Sequence, residues 1–483
     1  MSMVERCELA PGFSVSRVLT GLWQVADMER DGVELDPVEA SRAMEPYVAA
    51  GLTTFDMADH YGSAEVIAGA FPREGRDVQM LTKWVPKPGA VTLADVREAI
   101  ELSLERLRVD TIDLLQFHAW NYHDLSYLDC LGHLQALRDE GLIRHLGLTN
   151  FDTAHLRVVV ESGIEVVSNQ VSHSLVDRRA AGAMAEYCRA RGVKILAYGT
   201  LLGGFLSDRW LGVPEPAEGN LATWSQAKYK RFIDAAGGWD AYQRVLRAAA
   251  DVAQAKGASI ANVASRFILD SPAVGAVIVG ARLGESEHID DTLRMLQLEL
   301  DDASRAKIAE AIDGLTTVPG DCGDEYRKPP FLTASGDLSH HLETFPTAFT
   351  PVETGPDRAR LGSGTEWERL AGYSRAVRDG RRIFVSGTTA SHGALAVGGD
   401  DPAAQTHFVL DKIAAAVESL GGRWEDIVRT RVLVRDIDQW EPVARAHGER
   451  FAGVLPANTL VEAKLVSGEA LVEIEAEAMV QER

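Results

Sequence analysis

Four ionisable side chains, Asp56, Tyr61, Lys83 and His118, stand at or just beyond the polar ends of apolar, β-prone runs. The runs read TTFDMADHYGSAE, LTKW and IDLLQFHAW. An Asp, a Tyr, a Lys and a His released at strand ends form a proton-transfer set. Reducing a carbonyl requires a hydride on carbon and a proton on oxygen. A tyrosine hydroxyl is a suitable acid once its pKa is drawn down from about 10. A neighbouring Lys ammonium would do this by favouring the phenolate, with Asp56 holding the Lys in place and charged. A His beside the Tyr would orient the substrate oxygen or relay the proton.

These residues need elements that deliver them to one place. Short apolar runs near positions 20, 55, 80, 114, 146, 167, 195 and 277 read as strands, each followed by a helical pattern. Strict βα alternation implies a parallel sheet with right-handed crossovers. Eight such units over residues 1–315 predict a closed (β/α)8 TIM barrel of the α/β class, with its chemistry at the C-terminal strand ends. Asp36 is the expected cap of a helix through Val38–Ala50, and another helix is expected from about Glu285 to Met295. No GxGxxG follows the first strand, which argues against a doubly wound dinucleotide fold. The segment from Thr200 to Trp239 interrupts the alternation.

Residues 316–360 carry Pro319, Pro329, Pro330, Pro346, Pro351 and Pro356 and read as a linker without regular elements, part of it able to fold over the barrel mouth. Residues 361–483 predict a smaller α+β domain: a hairpin turned at Asp379-Gly380, a long helix over about Asp401–Leu420, a strand Ile427–Val434, a helix Trp440–Phe451 and two closing strands.

The chain has 483 residues, 46% hydrophobic and 25% charged, as expected for a soluble globular protein of more than one domain. Its 71 acidic against 49 basic residues, net −22, argue against nucleic acid or an anionic membrane as partner. Four scattered cysteines without metal spacing are expected as free thiols in a reducing cytoplasm, and no metal site is expected.

On the motifs FDMADHYGSAE, LTKW and QFHAW, the first domain resembles the aldo-keto reductase superfamily. The resemblance implies Tyr61 as general acid, Lys83 as the cation that lowers its pKa, Asp56 as partner of Lys83 and His118 as orienting group. It implies a nicotinamide dinucleotide, NADPH in preference to NADH, bound across the barrel mouth, and a small carbonyl compound as substrate. LGLTNF, SNQV and AYGTL place Thr149, Asn150 and Gln170 on the carboxamide and Tyr198 under the nicotinamide ring. Gly21 joins the cofactor set, and VIVGARLGESEHIDDTL supplies Arg282 for a 2′-phosphate and Glu287 for the adenine. In that segment Thr292 stands where Asn is usual, and Gly284 reads as an insertion. Trp23, Trp84 and Trp120 are candidate walls of the substrate pocket.

AGYSRAV, IFVSGTTA, RTRVLVRDI, LPANTLVEAKL and LVEIEAEAMV resemble the Rid (YjgF/UK114) family, with a chorismate-mutase-like α+β fold. Tyr373 and Glu473 match site positions of that family, while Asn458 stands where its carboxylate-gripping Arg belongs; Arg429 and Arg431 are the alternative cations. The resemblance implies a ligand-binding or trimerising module and a homo-oligomer. The rival expectations are a bifunctional enzyme whose second domain hydrolyses or cyclises an imine, and a non-enzymatic nucleotide sensor.

Overall fold

A hairpin, Arg6–Ala10 against Phe13–Ser16, precedes the barrel and plugs its N-terminal end: Leu9, Phe13 and Val15 pack on Leu19, Leu81, Leu114, Leu196 and Ala276 from the strands. The computed structural model describes residues 4–25, 35–217, 219, 221, 223–284, 287–328, 331–332, 342 and 345–481. The expected eight strands close a parallel barrel: Val18–Gly21, Thr54–Asp56, Gln79–Trp84, Ile112–Phe117, Ile143–Thr149, Ser168–Ser172, Lys194–Tyr198 and Val274–Gly280, the last pairing with the first. Every residue of Gln79–Trp84 is buried, as a parallel strand covered on one face by helices and on the other by the barrel interior requires.

Local chemistry sets the helix starts. Asp36 accepts from the Glu39 amide at 2.7 Å, Thr92 and Asp95 form a reciprocal capping box, and Asp152 caps the helix Thr153–Glu161. The single helix expected over Val38–Ala50 is two, Pro37–Arg42 and Glu45–Ala49, because Pro46 cannot extend the first. The last-strand crossover ends in a helix that begins at Ile289, not Glu285; residues 285–286 lie outside the described residues. The interruption between Thr200 and Trp239 contains a helix, Trp224–Ala235, capped by Thr223. Sequence reading also passed over the helix Ile260–Leu269, capped by Ser259.

The segment read as an irregular linker is corrected at both ends. Asp324–Arg327 forms a helical turn over the barrel mouth, and Val352–Gly355 and Arg358–Leu361 join the second domain's sheet. Proline density masked the four-residue strands, which satisfy their backbone groups by pairing with each other and with Ala376–Asp379. Pro329 and Pro330 lie outside the described residues.

The second domain is a seven-stranded sheet in the order Val352–Gly355, Arg358–Leu361, Ala376–Asp379, Arg382–Thr389, Val472–Met479, Ile427–Val434, Ala457–Glu462. Its hairpin turns one residue later than expected, at Gly380-Arg381, since Asp379 pairs with Arg382; Gly380 supplies a φ of +59°. The helices Pro402–Ser419 and Trp440–Phe451 pack together, and Pro402–Ser419 lies against Thr153–Glu161 of the barrel. Among the described residues no helix is long and apolar enough to cross a membrane.

Candidate functional site

The four chemistry-bearing residues meet at the C-terminal end of the barrel. Asp56 ends the second barrel strand, Lys83 is the penultimate residue of the third, and His118 follows the fourth. Lys83 Nζ donates to Asp56 Oδ2 at 2.7 Å and to the Met57 carbonyl at 2.8 Å, and lies 5.1 Å from the centre of the Tyr61 ring. Gln116 and Gln170 Nε2 both donate to Asp56 Oδ1, at 3.0 and 2.8 Å. His118 Nδ1 donates to the Thr149 carbonyl at 3.2 Å, which fixes the orientation of the ring.

The surroundings of Tyr61 act against the expected lowering of its hydroxyl. Burial, and then the Asp56 charge, push Tyr61 well above the ordinary tyrosine value. Burial also lowers Lys83 against the opposing pull of Asp56. The physical reason is pairing: the ammonium is hydrogen-bonded to a carboxylate, so little net positive charge reaches the phenol.

Of the tryptophans, Trp23 stands edge-on to Tyr61 at 4.8 Å and Trp120 perpendicular to His118 at 4.6 Å. Trp84 is instead buried in the barrel wall against Phe117 at 5.8 Å, because it alternates away from Lys83 on the same strand.

The residues expected at a carboxamide also converge. Thr149 ends its strand, and Asn150, in the left-handed region at φ +58°, turns its side chain so that Oδ1 accepts from the Tyr198 hydroxyl at 2.7 Å. Gln170 points its amide nitrogen down to Asp56 and to Gln116 Oε1, so it links this corner to the ion pair. Gly21 pairs with Asp56 and Gly280 at the rim, and its carbonyl accepts from the Ala281 amide. Arg282 and Glu287 lie beyond the last strand, and Arg282 has no ion-pair partner among the described residues.

Part of the 316–360 segment crosses the mouth, as the sequence allowed, through residues that sequence reading did not single out. Asp321–Arg327 is bound there by Asp321, whose side chain accepts from the Thr153 amide at 2.9 Å, and by Glu325, paired with the buried Arg179 at 3.0 Å. Arg327 donates to the Ala119 and Asn150 carbonyls and lies 4.4 Å over Tyr122. Tyr326 faces His118 at 5.8 Å, and its hydroxyl lies 2.6 Å from Lys228 Nζ and 3.3 Å from the Tyr198 hydroxyl. DCGDEYR, an acid–aromatic–base cluster amid prolines, was its only signal. Gly323 makes the crossing close: at φ +86°, a Cβ there would come 2.0 Å from the Asn150 carbonyl oxygen. Gly323→Ala is expected to cost about 1–3 kcal/mol of local stability, read as faster protease cleavage within this segment.

In the second domain, Asn458 does not stand free as a weakened cation site. It donates to Thr430 Oγ1 at 2.8 Å, beside His447. Arg431 is paired with Glu475 at 3.0 Å, and Arg429 is exposed on its strand. A cation nevertheless lies near Tyr373 and Glu473. Arg375 is buried, its Nη2 donates to the Ser386 and Gly387 carbonyls and to Thr388 Oγ1, and its Nε has no partner among the described residues. Burial raises Glu473, with Glu475 adding to it and Arg375 opposing. Arg375 stands within AGYSRAV, but nothing in that stretch marks it as buried.

The sequence pattern of the aldo/keto reductase family matches residues 17–313, and that of the endoribonuclease L-PSP family residues 364–480. An aldo-keto reductase of a Mycobacterium species is 34% identical over 179 residues, 35% of this chain and 59% of that protein. An uncharacterised Streptomyces coelicolor protein is 37% identical over 120 residues, 25% of this chain and 90% of its own. The structure of a glycerol dehydrogenase from Gluconobacter oxydans aligns with 65% of this chain and 97% of its own, at 22% identity and a TM-score of 0.54, a likeness of fold. A closed eight-stranded barrel carrying Asp56, Tyr61, Lys83 and His118 at its mouth, matched by the family pattern over 297 residues, makes this chain a member of the aldo/keto reductase family, with a YjgF-type domain joined to its C-terminal side.

Proposed function

We propose that the barrel is an NADPH-dependent reductase of aldehydes or ketones, and that the second domain binds a small polar ligand. The observation that carries the first reading is the buried Lys83–Asp56 pair beneath Tyr61, with His118 beside it. The residues present fit a dinucleotide. Tyr198 offers a ring, Thr149 and Asn150 with Gln170 an amide corner, and Arg282 a cation for a terminal phosphate. When bound, the reduced nicotinamide supplies the hydride.

The chain's own residues do the rest. Tyr61, held neutral, donates its proton to the carbonyl oxygen as negative charge develops there. His118 stands beside that oxygen as its orienting group, its ring fixed by the Thr149 carbonyl. Lys83, Asp56, Gln116 and Gln170 form a hydrogen-bonded base that fixes the strand ends and leaves no buried charge without a partner. Loss of absorbance at 340 nm on adding NADPH with a panel of aldehydes and ketones tests the reading; no turnover across the panel overturns it.

A pH consequence follows from the raised Tyr61. Reduction needs the protonated hydroxyl, so its kcat is expected to stay flat from about pH 6 to about pH 9. Alcohol oxidation needs the phenolate and is expected to rise steadily over the same range. Paired pH profiles of the two directions check this.

For the second domain the supporting observation is Arg375 close to Glu473 and Tyr373. The full chain assayed for imine hydrolysis, with Glu473→Gln as control, separates a catalytic domain from one that only binds or assembles subunits. Native mass measurement reads the oligomer directly, and a trimer is expected through this domain.

A further inference from the structure

Lys228 has no role in the chemistry above, yet it is a nearly buried ammonium at the barrel mouth. It projects from the helix Trp224–Ala235 into a cage of Tyr198, Tyr229, Phe232 and Tyr326 rings, whose centres lie 4.4 to 5.9 Å from Nζ. Its hydrogen-bond acceptor is the Tyr326 hydroxyl at 2.6 Å. The nearest carboxylate, Glu325, is 4.0 Å away and is held by Arg179 at 3.0 Å; Arg179 also binds Asp177 at 2.9 Å. The two acids of this cluster are therefore hydrogen-bonded to Arg179, and among the described residues Lys228 has no hydrogen-bonded counter-charge.

A desolvated ammonium with one neutral acceptor is costly unless a ligand completes it. Burial opposes the charge, but Tyr326, Tyr229 and Glu325 outweigh it and hold Lys228 above its ordinary value, so it is charged at any assay pH. Its position relative to the reacting centre is fixed by one ring. The Tyr326 ring centre is 4.4 Å from Lys228 Nζ and 5.8 Å from the His118 imidazole. The ammonium thus lies no farther from His118 than those two distances combined, a span that a short carbon chain covers.

We propose that Lys228, with Tyr326, is the specificity end of the substrate site and selects carbonyl compounds that carry a carboxylate a few bonds from the carbonyl. The proposal rests on the carbonyl-reductase reading of the barrel. Tyr326 holds the ammonium in place before substrate arrives, and the substrate carboxylate completes its hydrogen bonds. The alternative anion in this mouth is the diphosphate of the dinucleotide, and the two make opposite demands on one variant.

The test compares wild type, Lys228→Met and Lys228→Arg on two aldehydes of matched length, butanal and succinic semialdehyde, with NADPH binding measured separately by quenching of tryptophan fluorescence. Lys228→Met is expected to raise KM for succinic semialdehyde about 10- to 100-fold, the loss of one charge-assisted hydrogen bond. KM for butanal and the NADPH dissociation constant are expected to hold, and Lys228→Arg to recover most of the discrimination. Weakened NADPH binding with no change in the ratio of the two KM values assigns Lys228 to the diphosphate and overturns the proposal, as does a ratio unchanged with NADPH binding intact. A wild type that binds NADPH and turns over neither aldehyde fails the carbonyl-reductase reading itself. Far-ultraviolet circular dichroism of both variants confirms that they fold.

Discussion

Tyr61→Phe is expected to lower kcat/KM for carbonyl reduction about 10²- to 10⁴-fold, the usual contribution of a positioned general acid. The substitution removes one oxygen and keeps the ring, so the edge-on contact with Trp23 and the approach of Lys83 to the ring face both survive. NADPH binding is expected to stay intact, because none of the residues assigned to the dinucleotide touches the phenol. Single-turnover kinetics with NADPH in the enzyme check that the loss is in the chemical step. Undiminished turnover would remove Tyr61 from the mechanism and leave His118 as the remaining proton donor. Its test is equally direct, since His118→Gln keeps a side chain that can donate to the oxygen and loses the ring.

The second large effect is expected at the junction of the two domains. His155, on the barrel helix Thr153–Glu161, is buried with Nδ1 at 2.7 Å from Asp152 and Nε2 at 2.9 Å from Asp411 of the second domain. Tyr122 stacks on its ring at 3.4 Å, and Arg450 donates to the other Asp411 oxygen at 2.7 Å. Arg157 with Asp401, His123 with Glu418 and His392 with Asp129 extend the same junction. Asp411→Ala leaves the partly buried Arg450 with only the His407 carbonyl and removes one of the two acids of the buried His155, a loss of about 3–5 kcal/mol. Denaturant unfolding is expected to split into separate barrel and second-domain transitions, where wild type shows coupled ones.

The same cluster sets a pH window. Burial opposes the His155 charge, but Asp152 and Asp411 outweigh it and raise its pKa, so its contribution is full below its unfolded value near 6.5 and is lost as pH rises through the folded value. Asp411 is opposed by burial and lowered to about 2 by Arg450 and His155, so its contribution is present above its unfolded value near 3.8 and fades as pH falls toward 2. The neighbouring His407 is pushed down to about 3 by burial and by Arg450, and stays neutral across this range. Junction stability is therefore expected to be greatest between about pH 4 and about pH 6.5 and to fall above it. Asp411→Asn should flatten that fall, as measured by the denaturation midpoint at several pH values.

Much of this was legible along the chain. Apolar runs ending in Asp56, Lys83 and His118 announced strands and put their polar ends on one side, because a parallel barrel places every strand's C-terminal end at the same mouth. The helix cap Asp36 could be read from its own stretch, since a cap is a contact three residues long. The linker strands could not. Val352–Gly355 and Arg358–Leu361 are short and largely exposed, and they exist because a sheet edge pairs with them.

By itself the sequence determined the barrel, the second domain and the four residues that meet at the barrel mouth, because each is written in local periodicity or in a short motif. Three things waited for tertiary structure. The push on Tyr61 comes from its burial and then from the Asp56 charge, which are three-dimensional quantities. Tyr326 reaches His118 and Lys228 from positions 208 and 98 residues away, by a chain path across the mouth that no spacing rule encodes. Arg375 stands within reach of Glu473, 98 positions later, because sheet register, not sequence separation, decides which side chains share a face.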